Sequence, residues 1–154
     1  MDPPPIGLPV REVQAPARWW WLGCHGGAGV TTLGSVVPGG VDAGRCWPLS
    51  AHGRQPVVLV ARTHAAGLQQ AQLAARQWAS GVLPGVELLG LVLVADAPGR
   101  LPPALRDLVR LVSGGVPRTW KISWAEDWRQ GRPPDAIPRE SAGLARDLLT
   151  LTES

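Results

Sequence analysis

The stretch Trp19-Trp20-Trp21-Leu22-Gly23-Cys24-His25-Gly26-Gly27-Ala28-Gly29-Val30-Thr31-Thr32-Leu33 decides how the rest of the chain is read. It opens on bulky apolar residues, as a strand buried on both faces would. Glycines at 23, 26, 27 and 29 then permit a tight bend with no side chain in the way. Thr31, Thr32 and Leu33 restart regular structure, as a short helix that begins near Val30 and cannot pass Pro38. Strand, glycine-rich turn and helix together make a phosphate cradle. Successive amides point into the turn, and the start of the helix adds partial positive charge.

Working outward, Pro56 to Arg62 reads as a second buried strand, rich in β-branched residues. A helix over 68–80 follows, with Thr63 as a candidate N-cap and Gly81 as its stop. The clearest strand is 87–95, closed by a turn at 96–100. Pro103 to Ser113 is the next helix, with Leu105, Leu108, Val109 and Val112 on one face. A last strand spans 118–123, then a short helical turn over 124–131, a proline-rich link over 132–138 and a C-terminal helix over 140–152. Strands alternating with helices imply parallel pairing and right-handed crossovers.

The expected fold is therefore α/β: a small, doubly wound, mainly parallel sheet of about four strands flanked by helices. In such sheets ligands sit at the carboxyl ends of the strands. That edge gathers the 23–31 turn, the 62–67 segment and the 96–100 turn. Residues 1–17, with prolines at 3, 4, 5, 9 and 16, read as an extended, poorly ordered lead-in, and 18–154 as one domain. The 38–55 segment reads as irregular, with Asp42, Arg45 and Trp47 as its only candidates for order.

Composition narrows the function classes. The chain has 154 residues, 45% of them hydrophobic, enough to build one core. Its formal net charge is only +3, and the basic residues are scattered, so nucleic-acid binding is not indicated. Lys121 is the sole lysine, Asn, Phe and Tyr are absent, and there are eight tryptophans. That bias favours GC-rich codons and points to a high-GC bacterial genome. Cys24 and Cys46 make no disulfide framework and fit a reduced, cytoplasmic setting. The start lacks the basic and apolar regions of a signal peptide, and no apolar run is long enough to span a membrane.

The glycine-rich stretch resembles the deviant P-loop of the ParA/MinD family of partitioning and positioning ATPases, whose pattern is K-G-G-x-G-K-T-T. Here the frame reads His25-Gly26-Gly27-Ala28-Gly29-Val30-Thr31-Thr32. The glycines and both threonines match; His25 and Val30 stand where the family has lysines. The resemblance implies a truncated P-loop NTPase-like fold and a pocket for ATP or another nucleotide, with Mg²⁺ on the Thr31 hydroxyl. It also implies action with a protein partner, and it admits a homodimer. Little or no hydrolysis is expected. A hydrogen bond to a charged group is worth about 1.5–3 kcal/mol, phosphoryl transfer depends on such electrostatics, and valine offers none.

Around this frame, other residues carry weighed roles. His25, when protonated, would partly replace the signature lysine; mostly neutral near pH 7, it reads better as a turn residue with one hydrogen bond. Thr31 reads either as a metal ligand or as a helix cap. Thr32 reads as structural. Arg62, closing its strand, could return the charge that Val30 lacks. Asp96 closes the next strand and could hold metal through water or read a base; as a plain alternative it caps the turn before Pro98. Asp42 is a weaker carboxylate candidate. Cys24, His25 and His64 lack the spacing of a zinc site, and a Cys24–His nucleophile pair is equally weak. Trp120, Trp124 and Trp128 recur every four residues, a stripe on a helix and packing or a partner patch on a strand. The reading of another class is a nucleotide-independent interaction module that keeps only the fold.

Overall fold

Trp19 to Gly23 is a strand buried at all five positions, and it lies next to the centre of the main sheet. A computed structural model of the protein describes residues 7–123 and 139–153. In chain order the strands are β1 (Val10–Glu12), β2 (Trp19–Gly23), β3 (Gly40–Asp42), β4 (Trp47–Leu49), β5 (Gln55–Arg62), β6 (Val86–Val94) and β7 (Thr119–Ile122). The helices are α1 (Val30–Val36), α2 (Ala65–Ala79), α3 (Pro103–Ser113) and α4 (Arg139–Leu151). The protein is thus α/β, with a parallel sheet flanked by helices.

Five strands form the main sheet in the order β3-β2-β5-β6-β7, and β1 pairs with β4 in a separate two-stranded sheet. Every pairing is parallel. The sheet separates two cores. Trp20, Leu22, Leu59, Leu91 and Leu93 pack under α2 and α3 through Leu68, Ala71, Val109 and Val112. Trp19, Trp21, Val58, Val60 and Val92 pack under α1 and α4 through Leu33, Leu144 and Leu148. Alternate residues of each strand feed opposite cores, which is why the strands read as continuous apolar runs.

The structure departs from the sequence reading in several places. The main sheet has five strands where about four were expected, because the 38–55 segment adds β3 to it; the same segment holds β4 of the small sheet. The pairing of β3 is set by Trp19 against Gly40 and Trp21 against Asp42, a long-range register that no local pattern announces. Within the expected lead-in, Val10–Glu12 forms β1, paired from Val10–Trp47 to Glu12–Leu49. The α2 helix starts earlier than read, at Ala65. Its cap is His64, whose Nδ1 accepts the Gly67 amide at 2.8 Å, while the Thr63 hydroxyl accepts the Asp96 amide instead. Trp120 lies on β7 and donates its indole N–H to Asp147 on α4 at 2.9 Å, so it belongs to no helical stripe. Trp124, Trp128 and the segments expected over 124–138 lie outside the described residues.

Among the described residues, no helix is long and apolar enough to cross a membrane.

Candidate functional site

Numbered by chain position within the main sheet, the strand order is 2-1-3-4-5, so the winding reverses between β2 and β5. A crevice opens beside such a reversal, outside the carboxyl ends of the strands. The glycine-rich turn lies there. A cavity of about 340 Å³ is lined by Gly23, His25 to Thr32, Asp42, Gly44, Arg45 and Arg62. The sequence brings these groups together through three strand ends: β2 runs into the turn, β5 ends on Arg62, and β3 ends on Asp42.

The turn is shaped by Gly27 and Gly29, whose φ angles are 74° and 104°. Side chains rarely adopt this left-handed region, so glycine is needed at both. Gly29 is the N-cap of α1 and its backbone carbonyl accepts the Leu33 amide at 2.9 Å. Among the described residues, the amides of Gly26 to Thr32 find no acceptor. They line a concave wall of donors. Thr31 is exposed, is not the cap and lines the same cavity. Thr32 also lines it, its carbonyl accepting the Ser35 hydroxyl at 2.6 Å. Ala28 is buried against the core that Val30 adjoins, which explains the apolar character of these two positions.

His25 has both ring nitrogens engaged. Nε2 accepts the Arg62 amide at 3.0 Å, and Nδ1 lies 2.9 Å from the Gly26 carbonyl, to which it donates. This pair of bonds fixes the neutral ring with its proton on Nδ1. Burial lowers its pKa; the Gly26 carbonyl opposes this, and His64, Arg62 and Arg45 reinforce it. A protonated His25 standing in for lysine is therefore corrected. The residue instead clamps the turn to the end of β5, by two bonds rather than the single one expected.

Arg62 lies along the turn. Its Nε donates to the Gly27 carbonyl at 2.9 Å and its Nη1 to the Ala95 carbonyl at 3.4 Å. A Cβ built on Gly29 would sit 3.6 Å from its Nη2. The guanidinium thus bridges the ends of β2 and β6 and borders the cavity.

Asp96 falls outside this cavity. It is exposed, and its neighbours Ala95 and Ala97 line a different cavity of about 480 Å³ beside α3 and β7. Two cavity residues the sequence reading undervalued are Asp42 and Arg45. The Asp42 carboxylate accepts the Gly44 amide at 2.7 Å, and Gly44 in turn accepts the Gly23 amide at 2.9 Å, so the 42–45 loop is stitched to the turn. Asp42-Ala43-Gly44-Arg45 carried a signal, an acidic residue before a glycine, but its target lay on another strand.

Cys24 is wholly buried, and burial pushes its thiol up to about 12. A thiolate is the nucleophile and the metal ligand, and burial disfavours that form here. His25 and His64 approach with ring centres 5.0 Å apart, but among the described residues no group of three or more His, Cys, Asp or Glu side chains is placed to share a metal ion.

No curated protein and no solved structure matches the chain significantly. A family model does match, over residues 17–143, and its description is Family of unknown function (DUF6668). The chain belongs to that family.

Proposed function

We propose that the protein is a degenerate ParA/MinD-like P-loop protein, which binds a nucleotide or phosphate weakly at the glycine-rich turn, for regulation or assembly, with little or no hydrolysis. One observation carries the reading: among the described residues the amides of Gly26 to Thr32 find no acceptor, and these residues line a cavity bordered by two arginines, Arg62 and Arg45. Backbone donors and guanidinium groups are the groups that hold phosphate. Val30 leaves no lysine to follow the charge as it builds on a transferred phosphoryl group, so binding outlasts catalysis. The Thr31 hydroxyl and the Asp42 carboxylate are the oxygens on this cavity that suit Mg²⁺.

The test is a titration with ATP, ADP, GTP and CTP, with and without Mg²⁺, followed by tryptophan fluorescence and melting temperature. The tryptophans of β2 lead directly into the turn, so occupancy changes their signal. Gly26→Glu is the matched control, because a Cβ at Gly26 meets nothing within 4 Å. It adds a carboxylate at the cavity without crowding the fold. Saturable binding lost in that variant supports the reading. No response to any of the four at millimolar concentration overturns it in favour of a nucleotide-independent interaction module. That second reading draws on Arg62, two of whose donors are already spent on the carbonyls of Gly27 and Ala95.

A further inference from the structure

A second cavity opens on the same rim of the sheet, apart from the glycine-rich turn. It has a volume of about 480 Å³ and lies where β5, β6 and β7 end, beside α3. Arg62 borders the glycine-turn cavity, and Thr63, the next residue, borders this one. Its walls come from Leu93 of β6, Val109 of α3 and Ile122 of β7, all buried, and from the half-buried Leu101. The small residues that follow β6, Ala95, Ala97 and Gly99, also line it. Larger side chains there would fill the space, and protein interiors leave few voids of this size.

Three polar side chains are set in this apolar lining. Thr63 is only 9% exposed. Its Oγ1 accepts the Asp96 amide at 3.3 Å, and among the described residues no acceptor is placed for its own proton. That hydroxyl can donate to an oxygen of a ligand. Ser123 is already engaged, since it donates to the Glu140 carboxylate. Lys121, the sole lysine of the chain, is the one charged side chain on the lining among the described residues. An apolar enclosure with a few polar groups in it is the usual form of a small-molecule site, and this volume lies in the usual range. A cation with no carboxylate beside it on the lining favours an anion. A purine base suits these walls poorly. Reading its edge takes an acid or an amide, and Asp96, the candidate for that role, does not line the cavity.

We propose that this cavity is a second ligand site, which takes a small monocarboxylic acid with an apolar body. The body lies against Leu93, Leu101, Val109 and Ile122, the carboxylate meets the Lys121 ammonium, and Thr63 donates to an oxygen of the ligand. The site needs no nucleotide at the glycine-rich turn and does not rest on the function proposed above.

The probes are hexanoate and its uncharged twin hexanol, titrated into the full-length protein and followed by ligand-observed NMR. The wild type should bind both saturably at millimolar concentration, the acid about fivefold more tightly. The preference is modest because Lys121 is exposed and its charge is screened. Lys121→Met keeps the stem and removes the charge; it should bring the acid down to the level of the alcohol and leave the alcohol unchanged. Ala97 is exposed and lines the cavity, so Ala97→Trp should fill it and abolish binding of both probes, with a melting temperature like that of the wild type. Gly26→Glu, on the other cavity, should change neither. Failure of hexanoate to bind, equal affinity for acid and alcohol, or an equal loss of both in Lys121→Met overturns the proposal. So does binding that survives in a folded Ala97→Trp protein or disappears in Gly26→Glu. Displacement of hexanoate by adenosine overturns it in favour of a base pocket.

Discussion

Lowering the pH should unlatch the glycine-rich turn through one side chain. His25 holds the turn to β5 only while its Nε2 is bare, because that nitrogen accepts the Arg62 amide at 3.0 Å. Protonation turns the acceptor into a donor facing another donor. The bond itself, worth about 0.5–1.5 kcal/mol net, is lost, and an amide left unpaired in a partly buried site costs about 1–3 kcal/mol. Burial is the main reason the folded pKa lies below its ordinary value, and His64, Arg62 and Arg45 push the same way. A base with a depressed folded pKa takes up its proton more readily when unfolded. The stabilising contribution is therefore whole above the unfolded value near 6.5 and is lost as pH falls through the lower, folded value. One proton sets a ceiling of about 1.4 kcal/mol per pH unit on the slope, and the half-exposed ring keeps it below that through solvent screening. The assay is urea unfolding by tryptophan fluorescence at a series of pH values, for the wild type and for His25→Gln. Glutamine offers an oxygen to the Arg62 amide and does not titrate. The wild type should lose stability relative to the variant as pH drops below about 6.5. Curves that stay parallel through that range would refute the argument, since the bond would then be indifferent to the proton.

Three further outcomes follow from the packing and the site. Gly40→Ala should destabilise by about 1–3 kcal/mol, the cost of overpacking, because a Cβ there would collide with the indole nitrogens of Trp19 and Trp21; urea midpoints check this. Cys24, with its thiol pushed up to about 12 by burial, should resist iodoacetamide in the folded protein at mildly alkaline pH while the half-buried Cys46 reacts, as mass spectrometry of the alkylated peptides would show. Val30→Lys should tighten nucleotide binding by about tenfold or more, the worth of one charged hydrogen bond of about 1.5–3 kcal/mol, and isothermal titration measures it.

Much of the fold was legible because its elements announce themselves locally. The α3 helix has the expected bounds, Pro103 to Ser113, because a proline opens it, two glycines follow it and its apolar face repeats at helical spacing. The long strands β5 and β6 were legible as unbroken apolar runs, since both faces are covered. The strands that were missed, β1, β3 and β4, have three residues each, too few to show a period. What specifies them lies elsewhere in the chain. Trp47 is ordered by Gln77 and Pro9, and Gly40 is chosen by the indoles of β2, which leave room for hydrogen alone. The site divides the same way. The turn could be read from its glycines, and Arg62 from its place at a strand end. The second bond of His25 could not, because its partner is an amide 37 residues away. Asp42 and Arg45 entered the cavity through the pairing of β3, whereas Asp96 does not line it and its neighbours border the other cavity.

How tightly the proposed site can hold a phosphate follows from what its donors already do. Arg62 has five N–H donors, of which one from Nε and one from Nη1 serve the Gly27 and Ala95 carbonyls. The Nη2 edge, nearest to Gly29, remains for a ligand. A phosphate that took this edge and three of the turn's amides would make four charge-assisted contacts, each worth about 1.5–3 kcal/mol. Association costs at least about 4 kcal/mol. The remainder corresponds to millimolar affinity through the middle of the range and to about micromolar at its upper end. A site of this strength senses changes in an abundant nucleotide and does not retain a scarce one. Arg62 cannot improve the grip by swinging fully inward, because that would unpair two carbonyls at the rim of the sheet. The same two bonds that fix the guanidinium beside the cavity therefore limit the affinity it can confer. Arg62→Lys, which keeps the charge and lacks the fork, should loosen the rim and weaken binding together, whereas a guanidinium free of the rim would show the second effect alone.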